Sequence, residues 1–228
     1  MKKVTKLKTP VPSMEEAKDA VRTLIAWAGD DPDREGLIET PDRVARAYQE
    51  FFAGYHDDPD REGLIETPDR VARAYQEFFA GYHDDPEEIL SKTFEEVEGY
   101  DEMVIVRNIR LESHCEHHMV PILGIAHIGY IPNNRVVGIS KLARIVDVFG
   151  KRLQTQETMT AQIADTISKV LKPKGVAVVV DAAHQCMTTR GIHKSETSTV
   201  TSKMTGVFQK NINTRNEFMA LIHSGNNQ

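Results

Sequence analysis

The spacing of apolar residues predicts helices in the first part of the chain and strands in the second. Ser13-Met-Glu-Glu16 is a capping box, which opens a helix that runs to about Ala28. Its apolar stripe is formed by Ala17, Val21, Leu24, Ile25 and Trp27. These positions recur at helical spacing, so the helix is expected to pack one face against a core.

Two Thr-Pro pairs predict the next two helices. Thr40-Pro41 and Thr67-Pro68 each place an N-cap residue before a proline, which is favourable at the first helical position. These helices are expected to stop at Gly54 and Gly81.

The two pairs belong to an unchanged tandem repeat. Residues 30–59 recur at residues 57–86, with a period of 27 residues. A solenoid needs at least three repeats, and its repeats diverge at exposed positions. Two identical copies (30–56 and 57–83) indicate a recent duplication or a sequence artefact instead, and we assign the extra copy no function.

The second part of the chain alternates strand-like and helical patterns. Runs typical of strands lie at 103–111, 122–131, 135–139, 175–183 and 197–208. Helices are expected among and after them at about 140–150, 156–171 and 214–223. The order predicts an α+β fold. Residues 1–95 form an N-terminal helical region, and residues 96–228 form a domain with a mainly antiparallel sheet and packed helices.

Composition narrows the class of protein. With 40% hydrophobic and 27% charged residues among 228, the chain fits a soluble globular protein with a sizeable core. Its basic N-terminus has no apolar stretch behind it, and its longest aliphatic run, Val176–Val180, is far too short for a bilayer. The net charge of −6 argues against general nucleic-acid binding. We therefore expect a cytoplasmic enzyme without a membrane or nucleic-acid partner.

Cysteine and histidine are concentrated at two places, Cys115-Glu-His-His118 and His184-Gln-Cys186. Two thiolates and one imidazole form a ligand set that suits zinc, and three protein ligands leave a coordination position for water. If residues 176–186 form a strand, His184 and Cys186 share a face. A general acid/base would then lie beside an activated water.

Other interpretations of these cysteines stay open. A buried cysteine often acts as a plain small apolar residue. A disulfide between Cys115 and Cys186 is disfavoured, because nothing marks the chain as secreted.

Two further polar groups also allow two interpretations. Basic residues cluster near the metal motif in the sequence, at Lys141, Arg144, Lys151, Arg152, Arg190, Lys194 and Lys203. A solvated face explains most of them, and a patch that binds a phosphate ester is the alternative. Gln154-x-Gln156-Glu157 fits either N-capping or recognition of a base by an amide and a carboxylate.

Five motifs in the same order resemble GTP cyclohydrolase I, the zinc-dependent enzyme family that begins folate and pterin synthesis. They are Cys115–His118, Gly138–Arg144, Arg152–Glu157, His184–Gly191 and Thr199–Ser202. The resemblance covers residues 13 to 223, apart from one repeat copy. No single motif is specific, but the ordered set is.

The resemblance implies a role for each matching residue. The implied zinc ligands are Cys115, His118 and Cys186. The implied catalytic residues are His117, His184 and, near the ribose, Ser140. The implied substrate contacts are Gln156 and Glu157 for guanine, and Lys141, Arg144 and Arg190 for the triphosphate.

One implied phosphate contact falls within the repeat. Arg73 stands where the family often has a lysine, in a Thr-Pro-x-Arg-Val-Ala segment. Arg46 holds the same place in the other copy. We favour Arg73, because only the second copy runs directly into the catalytic domain.

The resemblance also implies an architecture and a reaction. It implies the tunnelling fold, assembled as a homodecamer with active sites at subunit interfaces. GTP would be converted to 7,8-dihydroneopterin triphosphate with release of formate. The alternatives are a zinc-binding scaffold of the same fold without turnover, and a related enzyme that acts on another pterin or a deazapurine.

Overall fold

The computed structural model describes residues 12–52, 58–94 and 100–224. The N-terminal helices are α1 (Met14–Trp27), α2 (Thr40–Phe51), α3 (Thr67–Phe78) and α4 (Pro86–Ser91). The later helices are α5 (Ile139–Gly150), α6 (Gln156–Leu171), α7 (Gln185–Thr188), α8 (Val207–Lys210) and α9 (Ile212–His223). The strands are β1 (Thr93–Phe94), β2 (Val104–Cys115), β3 (Pro121–Ile131), β4 (Val136–Val137), β5 (Leu153–Gln154), β6 (Gly175–His184) and β7 (Thr199–Met204). The predicted domain boundary at residue 95 falls outside the described ranges.

Helix α1 begins as its sequence predicts. The Ser13 hydroxyl accepts a hydrogen bond from the Glu16 backbone N–H at 3.2 Å, and the Glu16 carboxylate accepts one from the Ser13 N–H at 2.7 Å. Val21 and Ile25 are the buried members of the apolar stripe, whereas Trp27 is half exposed. The capping box and the helix it opens are therefore confirmed.

The Thr-Pro pairs do open helices, but the predicted caps are wrong. Glu39 and Glu66 occupy the N-cap positions of α2 and α3, and neither helix has a side-chain capping bond. Thr40 and Thr67 are already helical. The Thr40 hydroxyl donates instead to the carbonyl of Glu116 at 2.6 Å. The Thr40 hydroxyl, which the sequence predicted to cap α2, therefore binds a residue that is distant along the chain.

The glycines predicted to end these helices are not their last residues. Helices α2 and α3 end at Phe51 and Phe78, and Gly54 lies outside the described residues. Gly81 lies in the turn after α3, where an added Cβ would come within 2.2 Å of the Val148 carbonyl oxygen. Glycine is therefore required at position 81 by the close approach of α5.

A five-stranded sheet, in the order β5-β2-β3-β6-β7, carries the second part of the chain. The three long pairings, β2–β3, β3–β6 and β6–β7, are antiparallel, and the two-residue β5 runs parallel to β2. Strands β1 and β4 form a separate antiparallel pair. The predicted α+β class, with N-terminal helices followed by a mainly antiparallel sheet, is confirmed.

The uninterrupted run of apolar residues in β6 follows from its position between two hydrophobic cores. The even-numbered valines from Val176 to Val180 belong to the large core under α5 and α6. Ala177 and Val179 belong to a second core on the opposite face, together with Phe218 of α9. Because helices cover both faces, neither set of positions needs to be polar.

The longer helices of the second part follow the sequence pattern closely. Helix α6 has the predicted bounds, and α5 and α9 begin slightly earlier than expected. Thr155 caps α6 by accepting a hydrogen bond from the Thr158 N–H, and Lys172 ends it in the left-handed conformation, with φ of 47°. Among the residues described, none of the helices has the length and apolar character needed to cross a membrane.

The two copies of the repeat have different surroundings although their sequences are the same. In the first copy, Leu37 is fully buried and Val44 lies in the core formed with Val21 and Ile25 of α1. In the second copy, α3 has no buried residue, and Ile65 just before it is 65% exposed. The beginning of the first copy therefore packs against α1.

The end of the repeat is packed in the second copy instead. Phe79 is 1% exposed and joins the same core as Leu37. The Tyr82 hydroxyl accepts a hydrogen bond from the Leu153 N–H at 3.0 Å and bonds to the Asp30 carboxylate of the first copy. The equivalent of Phe79 in the first copy, Phe52, is exposed. The packed unit thus combines the beginning of one copy with the end of the other.

We expect Leu37→Ala to lower the free energy of unfolding by about 2–5 kcal/mol, the usual cost of emptying a buried leucine site. Leu64→Ala, at the same place in the second copy, is the matched control and should cost well under half of that, because its turn has no buried residue. Denaturant midpoints of both variants measure the difference. Equal losses would contradict the assignment of the first copy to the core.

Candidate metal centre and anion site

The three candidate metal ligands meet at one edge of the sheet. Cys115 is the last residue of β2, His118 lies in the turn that follows, and Cys186 lies in α7 directly after β6. Strands β2 and β6 both pair antiparallel with β3, so they run in the same direction and their carboxyl ends are neighbours. The candidate ligand atoms all lie within 4.8 Å of one another.

The chemistry of these side chains fits a metal ion. The hydrogen bond with Cys115 lowers the pKa of Cys186 to about 7, although partial burial opposes the shift, and Arg190 adds to it. Nδ1 of His118 is buried and has no hydrogen-bond partner in the part of the chain that the structure describes. A thiol that ionises readily and an imidazole nitrogen without a protein partner are what a borderline-soft metal ion needs.

His184 lies beside this centre, but not for the predicted reason. Strand β6 ends at His184, and Cys186 belongs to α7, so the two side chains do not share a strand face. His184 Nε2 lies 2.8 Å from Oε1 of Gln156. The placement of His184 is therefore fixed by a contact with α6 rather than by strand alternation.

Gln156 is buried at the start of α6, with 1% of its surface exposed. Its Nε2 donates to the carbonyl oxygens of Val180, at 3.1 Å, and Thr199, at 2.8 Å. Because these bonds identify the nitrogen end of the amide, Oε1 is the end that faces His184. Oε1 can only accept, so His184 donates from Nε2. The role of Gln156 as a guanine contact stays a prediction.

Glu157 is exposed, one residue further along α6. The capping role that local reasoning offered for this segment belongs to Thr155. Gln154 is buried and donates to the Phe149 carbonyl oxygen at 3.1 Å. Of this segment, Glu157 is thus the residue whose carboxylate is open to a ligand.

His117 also touches the candidate metal centre. Its Nδ1 lies 3.6 Å from Cys115 Sγ, and the side chain is half-buried. The predicted catalytic role of His117 is compatible with this position and stays a prediction.

The predicted contacts on α5 have no direct bond to the candidate metal ligands in the described residues. Ser140 and Arg144 are exposed and Lys141 is half-buried. Across the described ranges, no hydrogen bond or ion pair links these three residues to the metal ligands. The roles of these three residues as substrate contacts stay predictions.

Arg190 is the basic residue that does reach the metal centre. Its Nη1 lies 3.3 Å from His118 Nε2, and its Nε and Nη2 each lie 2.8 Å from Oε2 of Glu50. The Gly191 N–H donates to Oε1 of the same carboxylate at 2.8 Å. Sequence reasoning missed Glu50, because nothing local relates α2 to a loop near the end of the chain.

The first copy of the repeat also supports the loop that carries the metal ligands. Arg34 Nη1 lies 2.7 Å from the Glu116 carboxylate, and the Thr40 hydroxyl donates to the Glu116 carbonyl oxygen at 2.6 Å. Glu116 lies between Cys115 and the histidines. The N-terminal region therefore anchors the turn on which His118 is carried.

These contacts bear on the choice between the two arginines of the repeat. Arg73 on α3 and Arg46 on α2 are both exposed, but in the described residues only α2 reaches the site, through Glu50. Arg46 is paired with Asp42 at 2.7 Å. The role of Arg73 as a phosphate contact stays a prediction. Because α2 contacts the site, Arg46 is the alternative residue for that role.

The fold and the site together define an α+β protein with a Cys-His-Cys cluster able to hold a metal ion and a cationic residue beside it. A family model described as GTP cyclohydrolase I matches residues 17–60 and 55–223, two stretches that overlap within the repeat. A GTP cyclohydrolase 1 of Maricaulis maris (strain MCS10) is 52% identical over 92% of this chain and 90% of its own length. One of Brucella suis (strain ATCC 23445 / NCTC 10510) is 52% identical over 93% of this chain and 87% of its own.

The chain belongs to the GTP cyclohydrolase I family. It is therefore an enzyme of the hydrolase class, and the resemblance seen in its five motifs is confirmed. A much weaker likeness, from which we conclude nothing, is to a solved structure of the archaeosine synthase QueF-Like in the apo form. That chain is 18% identical, with a TM-score of 0.39, and the match covers 46% of this chain and 93% of that one.

Proposed function

We propose that this protein converts GTP to 7,8-dihydroneopterin triphosphate and formate, with zinc held by Cys115, His118 and Cys186. The observation that carries the proposal is the convergence of these three ligand atoms within 4.8 Å in a chain of this family. Two sulfurs and one nitrogen favour zinc over harder cations, and three ligands are the number found in catalytic zinc sites.

The chemistry is divided among a few side chains. Zinc bound there would lower the pKa of a water molecule so that it can attack C8 of the purine at neutral pH. His184 donates from Nε2 to Gln156, which leaves Nδ1 to accept a proton and return it to a ring nitrogen. His117, against Cys115, is the second proposed catalytic histidine. Ser140 is proposed to lie near the ribose.

The triphosphate serves as a charged handle that orients the purine, and it is not itself hydrolysed. Arg190 is the proposed phosphate contact within the chain, since its guanidinium lies beside His118. Arg144 is exposed, Lys141 is half-buried, and in the described residues neither bonds to the candidate metal ligands, so we propose that a neighbouring subunit supplies them. A homodecamer with active sites at subunit interfaces would provide that arrangement. A biosynthetic enzyme of this kind fits a cytoplasmic location.

We expect strong selectivity for GTP over ATP and GMP in an assay of formate release. Guanine presents donors at N1 and N2 that the Glu157 carboxylate can accept together, whereas adenine presents an acceptor at N1. A charged acceptor that the bound base covers without a partner costs about 1–3 kcal/mol, so ATP should be turned over roughly 10- to 100-fold less efficiently. GMP lacks the β- and γ-phosphates that Arg190 is proposed to bind, so a higher concentration of GMP should be needed for turnover.

One variant and its control test the role of Glu157 in this selectivity. Glu157→Gln should reduce turnover of GTP while metal content stays at the level of the unmodified protein. Thr158→Ala, at the next and equally exposed position, is its control. Equal turnover of ATP and GTP would contradict the role of Glu157, and equal use of GMP would contradict the role of Arg190. An absence of formate from every nucleotide would favour a zinc-binding scaffold or an enzyme for a different pterin or deazapurine.

A further inference from the structure

A carboxylate of the protein itself occupies the anion-binding position at Arg190. Oε2 of Glu50 lies 2.8 Å from both Nε and Nη2 of Arg190, and Oε1 lies 2.8 Å from the Gly191 N–H. Both carboxylate oxygens are therefore used, against a planar guanidinium on one side and a backbone donor on the other. Gly191 has φ of 61°, a left-handed conformation that glycine adopts without strain.

This is the donor set that proteins use for phosphate. A guanidinium binds phosphate through two parallel N–H groups, and backbone N–H groups in left-handed turns complete many phosphate sites. The same donors lower the pKa of Glu50, the Gly191 N–H most and Arg190 next, so Glu50 is anionic at neutral pH. Glu50 thus presents two oxygens and a negative charge where a phosphoryl group would present its own.

We propose that Glu50 is an internal competitor for the phosphate subsite, which the triphosphate of the substrate must displace from Arg190 and Gly191. The inference rests on the proposed function in one respect, the assignment of Arg190 to phosphate binding. It adds a residue on α2 that sets the affinity of the subsite.

The exposure of the pair determines the size of the effect. The side chains of Arg190 and Glu50 are 22% and 40% exposed, so water screens their attraction. An exposed pair of this kind is displaced at little cost, and its removal should change phosphate affinity by about 2- to 5-fold. A triphosphate carries more negative charge than one carboxylate, so it wins the competition without the need for a large conformational change.

A purely structural role for Glu50 predicts the opposite direction. If Glu50 only ties the Arg190–Gly191 loop to α2, its loss loosens the subsite and weakens phosphate binding. Competition predicts tighter binding. The sign of the change therefore distinguishes the two roles.

The repeat supplies a matched control for the experiment. Glu77 occupies the place of Glu50 in the second copy, within the same local sequence, but it is exposed on α3. We expect Glu50→Gln to bind inorganic tripolyphosphate about 2- to 5-fold more tightly in a calorimetric titration and to show a correspondingly lower KM for GTP. Glu77→Gln should match the unmodified protein in both measurements.

Unchanged or weaker tripolyphosphate binding by Glu50→Gln would overturn the competition, and so would an equal change in Glu77→Gln. The thermal midpoint of each variant shows that the fold is retained. Tripolyphosphate binding does not depend on turnover. An absence of formate release by the unmodified protein would therefore remove the proposed reaction and leave the competition at Arg190 standing.

Discussion

Replacing Cys186 with serine is expected to remove most of the bound metal and to reduce formate release from GTP to background. Cys186 supplies one of three candidate ligand atoms that lie within 4.8 Å of one another, and its thiol pKa of about 7 means that it ionises easily. A serine hydroxyl ionises far less readily and is a poor ligand for a borderline-soft ion. Elemental analysis of the purified protein measures the metal, and the formate assay measures the loss of turnover.

The control for this variant lies on the same short helix. The Thr188 hydroxyl bonds only within α7, to Gln185, in the described structure, so Thr188→Ala should keep its metal. Activity should fall more completely than stability in Cys186→Ser, because a site with three proposed protein ligands would leave a position for water and would not be a closed structural site. Full metal content in Cys186→Ser would remove Cys186 from the ligand set.

His184→Ala is expected to keep the metal and to lose about 10²- to 10⁴-fold in the rate of formate release, the usual contribution of a general acid/base. His184 is held by Gln156 at 2.8 Å and is not one of the three clustered ligands. Metal analysis and single-turnover formate release on the same preparation separate the two effects.

His193→Ala is the comparison for this variant. His193 is exposed in the loop after α7, and its replacement should change neither metal content nor the chemical rate. A His184→Ala protein with near-normal formate release would show that His184 is only a packed neighbour of the metal centre.

Local sequence determined much of the fold because its signals are short-range. The capping box of Ser13 and Glu16 forms as predicted, since both partners lie within one helical turn. Helix α6 has its predicted bounds because Thr155 and Lys172 define its two ends. Strand β6 was recognisable from its valines, whose uninterrupted run reflects cover on both faces.

Local reasoning was wrong where a group finds a distant partner. Thr40 was predicted to cap α2, but its hydroxyl bonds to Glu116, and the cap position falls to Glu39. His184 and Cys186 were predicted to share a strand face, but β6 ends between them. In each case the preferred contact is tertiary, and its partner is far away along the chain.

The sequence by itself determined which chemistry this protein carries. The thiols of Cys115 and Cys186 and the imidazole of His118 predict a site for a borderline-soft metal from residue type alone, and five ordered motifs indicate the family. Ligand identity is a property of side-chain atoms, so it can be predicted before any geometry is known.

Only the tertiary structure decided how the identical copies are used and what Arg190 contacts. Leu37 is buried while the second-copy turn that holds Leu64 has no buried residue, although their neighbours in sequence are the same. Glu50 reaches Arg190 because α2 packs beside the loop after α7. Identical sequences have identical local preferences. The two copies differ in role only because each packs against a different surface, with different burial and charge.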